Sequence, residues 1–318
     1  MPSLAGRLVL AGIVVGVPGF GLALMASLLG PPAGLGTMLL LILGGLAAGL
    51  GLLLFTAGVA VHVFGPAARP ERARQNCAGY ATVLGCLYLA VVAANLATGL
   101  YFAGVYLAGV GGGTQAGGGS MLADLGGQMR SPGGLVAAAL TQELAILAVL
   151  YLRIVRPGVT TWRDMGLDGR DLPRRLGLGL LLAVGVIVVI GALSYLLSLL
   201  GVQQTQERLF APLREATPLQ FASMVGVAAL LTGLVEESFF RGYVFRSFYD
   251  AKGPAQAYLA SALIFAAAHV NPQAFLPLFG AGLLLAFAYR RSGSIVPAMI
   301  AHAINNGVGL AILYFGMA

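Results

Sequence analysis

The chain has 318 residues, of which 58% are hydrophobic and 9% are charged. This composition, with a mean hydropathy of +0.90, excludes an ordinary soluble domain and indicates an integral membrane protein. The formal net charge of +7 comes from arginines in short stretches between apolar runs rather than from one basic patch. We therefore expect the lipid bilayer as its surroundings and no nucleic acid as a partner.

Nine apolar segments of roughly membrane length follow one another along the chain. They predict an all-α fold, a polytopic transmembrane helical bundle of about 8–9 membrane helices. The segment at 77–110 is too long for one simple helix. The nine segments lie near residues 8–30, 36–64, 77–110, 134–154, 176–201, 219–249, 256–270, 273–289 and 294–315.

Arginine-rich connections alternate with connections that lack this bias. They lie near residues 65–76, 153–175, 246–252 and 290–291. By the positive-inside rule these four face the cytoplasm, and the glycine-rich connection at 111–133 faces the opposite side. We therefore expect a multi-pass protein of the cell membrane with a cytoplasmic N-terminus.

The last third of the chain places polar and ionisable side chains inside apolar segments. Ionisable groups in hydrocarbon cost about 3 kcal/mol even on the most lenient scales, so residues retained there are candidates for function. These residues are Glu236, Glu237, Arg241, His269, His302 and Asn306.

Three separate segments carry these residues to a similar expected depth. Counted from the nearest cytoplasmic connection, Glu236 lies about 14 residues into its helix, His269 about 16, and the turn from His302 to Asn306 about 11 to 15. At about 1.5 Å of rise per residue, all lie about 16 to 24 Å deep, near the middle of the membrane.

Spacing along each helix indicates which side chains act together. Glu237 and Arg241 lie four residues apart and can form an ion pair, and His302 and Asn306 share one face in the same way. Because adjacent residues on a helix point in different directions, we assign Glu237 a structural role and Glu236 the role of general base in a cavity. The other pair can donate hydrogen bonds to an oxyanion.

The three motifs resemble those of the CAAX prenyl protease and bacteriocin-processing (CPBP) family of intramembrane proteases. That family carries Glu-Glu-x-x-x-Arg, then Phe-x-x-x-His, then His-x-x-x-Asn or a similar pair. This chain has the same motifs, in the same order, at 236–241, 265–269 and 302–306. The resemblance covers roughly residues 140–318.

The resemblance implies a domain organisation as well as a fold. A CPBP-like intramembrane protease domain is expected over residues 131–318. Residues 1–130 then form an N-terminal transmembrane region of about three helices plus a glycine-rich linker, in which no motif of the family is found.

The resemblance also implies an activity and the roles of individual residues. We expect an intramembrane endopeptidase that hydrolyses peptide bonds of membrane-associated proteins or of prenylated, CAAX-like substrates. Carried over to this chain, the pattern makes Glu236 the carboxylate that activates water, with Glu237 and Arg241 as the rest of the first motif. The final pair, His302 and Asn306, stabilises the tetrahedral intermediate.

The need for a metal is a separate question, because the family is often labelled as metalloproteases. Glu236, His269 and His302 would supply three ligands to zinc or another divalent metal. The chain has no His-Glu-x-x-His motif, and Asn306 favours a metal-free site because an amide is a poor zinc ligand. We therefore favour no cofactor, with His269 holding or protonating the attacking water.

Two other classes of function fit the same residues. One is a proton-coupled transporter, and the other is a catalytically silent relative that binds a membrane partner. Buried ionisable residues that cluster in the last third, rather than in two related halves, argue against the transporter. The complete set of motifs argues against the silent relative.

Glu143 is a further buried candidate, because it lies near the middle of the fourth apolar segment and outside the three motifs. A carboxyl at that depth is costly without a purpose. It either lines the cavity or forms a structural hydrogen bond, and the sequence leaves both interpretations open.

Overall fold

A computed structural model describes residues 3–28, 35–65, 79–111, 121–202 and 210–316. Within these ranges the regular structure is helical and contains no strand, which confirms the all-α prediction. We number ten helices in chain order. They are α1 (Leu4–Leu28), α2 (Leu35–Phe64), α3 (Tyr80–Gly111), α4 (Met121–Arg130), α5 (Pro132–Leu150), α6 (Leu172–Leu199), α7 (Pro218–Lys252), α8 (Pro254–Ala268), α9 (Phe275–Ser292) and α10 (Val296–Tyr314).

All nine predicted segments are helical, but they differ in length. Seven of the described helices, α1, α2, α3, α5, α6, α7 and α10, are long and apolar enough to cross a membrane. Helix α8 has 15 residues, which extend only about 22 Å, and α9 has 18 residues and ends in a basic turn. The protein is therefore an integral membrane protein with seven clear spans and two shorter helices.

Three details of the sequence-based prediction are corrected by the structure. The segment at 77–110 forms one helix of 32 residues, α3. The connection predicted as a glycine-rich linker contains α4 after residue 120. Helix α5 continues as a π-helical turn, Tyr151–Val155, so that Arg153 lies buried in the helix and not in the basic connection.

The described chain divides into two compact units, Met1–Leu89 and Ala90–Ala318, with the division inside α3. The domain boundary expected near residue 130 lies further along the chain and stays a prediction. In the first unit, α1 and α2 approach through glycines. A Cβ atom built on Gly16 would lie 3.2 Å from the Gly51 Cα atom, so only small residues allow this contact.

Helices α6, α9 and α10 share one core in the second unit. Small residues bring these helices together: a Cβ atom on Gly179 would lie 2.8 Å from the Ile300 Cβ atom. Such contacts fix the position of α10, which carries the third motif. The buried residues of this core are Leu182, Ala183, Val186, Ala281, Leu285, Ala288, Ala298 and Ala301.

The connection between α5 and α6 folds onto the turn between α9 and α10. The Ile295 backbone N–H donates to the Met165 carbonyl oxygen at 2.9 Å, and the Ser294 hydroxyl donates to the Gly166 carbonyl oxygen at 2.8 Å. The Met165 side chain is buried against Gly242 of α7, where an added Cβ would lie 2.7 Å from the sulfur. The connection therefore packs against the helix that carries the first motif.

Two arginines bind Asp168 in the same connection. Arg175 donates from Nη1 to Asp168 Oδ1 at 2.8 Å, and Arg170 donates from Nε to Oδ2 at 2.5 Å. The hydrogen bond from Arg175, followed by that from Arg170, holds the pKa of the Asp168 carboxyl well below its ordinary value. These contacts tie the connection to the first turn of α6.

Candidate active site

Helix α7 carries the first motif and changes its winding along its length. Thr232–Glu237 is α-helical, whereas Val225–Leu231 before it and Ser238–Phe245 after it are π-helical. Single π-helical turns are rare and frequently occur at functional sites. All side chains from residue 235 to residue 245 are buried, so the motif faces protein and not lipid.

Glu237 and Arg241 form the ion pair that their spacing predicts. Arg241 Nη1 lies 2.8 Å from Glu237 Oε1, and both side chains are fully buried. Arg241 Nη2 also donates to the Gly282 carbonyl oxygen of α9 at 3.1 Å, and its guanidinium carbon lies 4.5 Å from the centre of the Phe265 ring of α8. A buried charge needs such compensation, and here three helices supply it.

His302 is held between the two carboxylates of the first motif. Its Nδ1 lies 2.8 Å from Glu237 Oε1, and its Nε2 lies 3.9 Å from Glu236 Oε2. Because the carboxylate paired with Arg241 only accepts, we assign the Nδ1 proton to this hydrogen bond. The longer separation exceeds a direct hydrogen bond and suits two groups that contact one water.

His269 approaches this group through Phe265. His269 Nδ1 lies 2.8 Å from the Phe265 carbonyl oxygen. Because a carbonyl oxygen only accepts, Nδ1 is the donor, and Nε2 lies at the opposite edge of the ring. The Phe265 ring packs edge-on against the His269 ring at 4.8 Å and against the His302 ring at 5.9 Å between centroids. Both histidines therefore flank one phenyl ring.

Asn306 lies one turn beyond His302 but makes a different contact. Its Nδ2 donates to the Ala228 carbonyl oxygen in the π-helical part of α7 at 2.8 Å, and its Oδ1 accepts from Asn305 Nδ2 at 3.3 Å. One of its two amide hydrogens is thus bound to backbone. The other is the hydrogen that it can offer to a substrate.

The structure joins some of the predicted site residues more directly than others. Glu236, His302, Glu237 and Arg241 form one continuous buried series of polar contacts. His269 reaches this series through an aromatic ring, and the Asn306 amide is held against α7. The contact between His302 and Glu237 was not predicted, since spacing within one helix says nothing about a residue 65 positions away.

The structure bears on the three residues considered as metal ligands only through their arrangement. Among the residues that the structure describes, no group of three or more His, Cys, Asp or Glu side chains is arranged to hold an ion. His302 uses Nδ1 to bind Glu237, and His269 uses Nδ1 to bind a carbonyl oxygen, which leaves Nε2 of each ring as the nitrogen that a metal would bind.

A threonine that the sequence analysis did not consider connects Glu143 to the site. Thr232 Oγ1 lies 2.8 Å from Glu143 Oε1, and Thr232 precedes Glu236 by one α-helical turn. Glu143 is only 3% exposed. The sequence places the Thr232 hydroxyl on the same helix face as Glu236, but it gives no signal for the contact with Glu143.

A comparison with known families gives a match over the segment that contains the candidate site. Residues 218–308 match the family model described as type II CAAX prenyl endopeptidase, Rce1-like. The predicted family resemblance is confirmed. The Rce1-like segment covers less than a third of the chain, runs from the first residue of α7 into α10, and contains all six predicted site residues. No curated protein and no solved structure matches the chain.

Proposed function

We propose that this protein is an intramembrane endopeptidase that hydrolyses a peptide bond in membrane-associated or prenylated, CAAX-like substrates. One observation carries the proposal: a buried series of Glu236, His302, Glu237 and Arg241 lies within a segment that matches a peptidase family model. Water is the co-substrate of such a reaction, and Glu236 is the group placed to accept its proton.

The proposed reaction is a general-base hydrolysis. Glu236 accepts a proton from water while the water oxygen bonds to the carbonyl carbon of the substrate, which gives a tetrahedral intermediate. The carbon–nitrogen bond then breaks, and the proton passes from Glu236 to the leaving amine. The products are a carboxylic acid and an amine, and Glu236 returns to its starting state.

The residues around Glu236 have proposed supporting roles. Glu237 and Arg241 hold the His302 ring by its Nδ1 edge, so that its Nε2 edge faces Glu236. We assign His302 to the oxygen of the tetrahedral intermediate, as an imidazolium between two carboxylates that donates from Nε2, together with the second amide hydrogen of Asn306. His269, when its ring is protonated, donates from Nε2 to the attacking water and holds it in place.

We propose a metal-free site, since the Asn306 amide is a poor zinc ligand and no group of three or more His, Cys, Asp or Glu side chains among the described residues is arranged to hold an ion. Treatment with a chelator is then expected to leave the activity unchanged. Loss of activity with recovery on adding zinc would contradict this part of the proposal.

The test of the proposed function uses the full-length protein reconstituted in liposomes. The probe is an internally quenched peptide with a farnesylated cysteine in a C-terminal Cys-a-a-X sequence, and the same peptide without the farnesyl group is compared with it. We expect cleavage by the wild-type protein and a loss of about 10²- to 10⁴-fold in kcat for Glu236→Gln. Preference for the farnesylated peptide would establish the substrate class.

Ser223→Ala is the matched control in the same helix, because its hydroxyl is bonded to the Leu219 carbonyl oxygen at the surface. This variant is expected to keep wild-type activity. Full activity of Glu236→Gln would refute the assignment of the base. Proton-coupled uptake of a solute without any peptide cleavage would favour the transporter.

A further inference from the structure

Glu143 is a buried carboxyl that the proposed reaction has not used. It lies in α5, outside the Rce1-like segment, and among the described residues it forms one hydrogen bond, to Thr232. None of the ion pairs formed by the described residues involves it. An ionised carboxyl without a cation in such a place is very costly.

The contacts of Thr232 indicate that Glu143 carries a proton. Thr232 Oγ1 lies 2.8 Å from Glu143 Oε1 and 3.2 Å from the Val227 carbonyl oxygen. A hydroxyl has one hydrogen, and a backbone carbonyl only accepts. If Glu143 is ionised, Thr232 is the donor in both contacts and its one hydrogen is shared between two acceptors. If Glu143 is neutral, it can donate from Oε1 to the hydroxyl, which then donates to Val227, so that each contact has a hydrogen of its own.

Glu143 and the proposed general base each have one buried carboxyl oxygen without a partner. Glu143 Oε2 and Glu236 Oε2 are both buried and have no hydrogen-bond partner within the described part of the chain. Thr232 and Glu236 are neighbours on one helix face, about 6 Å apart at Cβ, and Glu143 is bonded to Thr232 on that face. Buried oxygens of this kind bind water or take part in catalysis.

We propose that Glu143 orients the attacking water. In its neutral form it directs its own hydrogen to Thr232 and accepts through Oε2 one hydrogen of the water, while Glu236 Oε2 accepts the other. This inference rests on the proposed function and adds to it a residue outside the three motifs.

With Glu143 bound to the water, the same bonds break and form as in the proposed reaction. Only the O–H bond that points to Glu236 breaks as the water oxygen bonds to the carbonyl carbon. The other O–H bond stays intact and hydrogen-bonded to Glu143, whose own proton does not move. Both hydrogens of the water are thus fixed, which directs a lone pair to the substrate and removes orientational freedom before the reaction.

Two substitutions separate this role from a purely structural one. Glu143→Met keeps the volume and removes both oxygens, so kcat for the farnesylated peptide is expected to fall about 10²-fold with KM unchanged. Glu143→Gln presents an N–H to Thr232 and a carbonyl oxygen to the water, as the neutral acid does. It is therefore expected to recover most of the loss.

The controls address folding and location. Thr141→Val lies in the same helix. The Thr141 hydroxyl is bonded to the Ala137 and Ala138 carbonyl oxygens and to the Thr98 hydroxyl of α3, and to no residue of the candidate site, so the kcat of this variant is expected to stay at the wild-type level. If Glu143→Met does not fold, Thr232→Val takes its place. Loss of the hydroxyl that orients Glu143 is expected to lower kcat about 10-fold.

An infrared measurement tests the neutral carboxyl without any substrate. The difference spectrum between wild-type protein and Glu143→Gln at neutral pH is expected to show the carbonyl stretch of a protonated carboxyl. If that band is missing, the proposal is overturned even if the protein cleaves no probe and the proposed function itself fails. In an active protein, kcat of Glu143→Met within about twofold of wild type, or no recovery in Glu143→Gln, would also overturn it.

Discussion

The buried ion pair of Glu237 with Arg241 is supported by the residues around it. The Arg241 charge is balanced by Glu237, and its remaining contacts are a carbonyl oxygen and an aromatic face. Glu237 also accepts the hydrogen bond from His302. Removing one member of this group leaves the others buried and unpaired, so a single substitution is expected to lower the free energy of unfolding substantially.

Arg241→Met is expected to destabilise the protein. The substitution leaves the Glu237 carboxylate buried without its cation, and we expect a loss of about 3–5 kcal/mol of stability. The free energy of unfolding in detergent micelles measures it. The double variant Glu237→Gln with Arg241→Met is expected to recover part of the loss, because no unpaired charge is then buried.

Arg170→Met is the matched control, since its side chain is 69% exposed in its ion pair with Asp168. We expect a change below about 1 kcal/mol. An Arg241→Met protein as stable as wild type would mean that the buried ion pair contributes nothing to the fold.

Helices in this protein approach one another closely because small residues stand at the crossings. Gly282 of α9 serves two purposes at such a crossing. Its missing side chain lets α9 lie against α8, where an added Cβ would be 3.0 Å from the Ala262 Cα atom. Its carbonyl oxygen accepts from Arg241, so the packing of two short helices also positions the site.

Gly282→Ala is therefore expected to disturb both stability and activity. The nearest atom to the new methyl group is backbone, which cannot move without shifting α8, and overpacking of this kind costs about 1–3 kcal/mol. Thermal unfolding and kcat on the farnesylated peptide measure the two effects.

Gly191→Ala in α6 is the control: no atom lies within 4 Å of its added Cβ, and we expect a change in the free energy of unfolding within about 0.5 kcal/mol. Equal behaviour of the two variants would contradict the packing argument.

The orientation of the whole molecule in the membrane is set by its charged connections. The connection between α5 and α6 carries many arginines, whereas that between α3 and α5 is rich in glycine. The two short helices α8 and α9 leave this argument unchanged, because both the end of α7 and the end of α9 are basic. The N-terminus is then expected on the cytoplasmic side.

Cysteine labelling tests this orientation. In a background with Cys77 and Cys86 replaced by alanine, Arg130→Cys is expected to react with a membrane-impermeant maleimide in intact cells. Arg170→Cys is expected to react only after permeabilisation. The reverse pattern would invert the topology, and labelling of both in intact cells would place both connections on the same side.

The sequence alone determined the features that depend on local order. Apolar runs specify where helices form, because each run must satisfy its backbone within the membrane by its own hydrogen bonds. The spacing of four residues specifies the ion pair of Glu237 with Arg241, which lies within one helix. The order and residue types of the three motifs were enough to predict the resemblance to a CAAX protease family, which the match over residues 218–308 confirms.

Only the tertiary structure decided how these faces meet. The bonds from His302 to Glu237 and from Glu143 to Thr232 join residues 65 and 89 positions apart. They depend on how each helix is rotated and how deeply it lies against its neighbours. The rotation of each helix is fixed by contacts with several neighbouring helices, at small residues such as Gly179 and Gly282. The spacing of residues along one helix shows which residues share a face. It does not show which residues of other helices that face contacts.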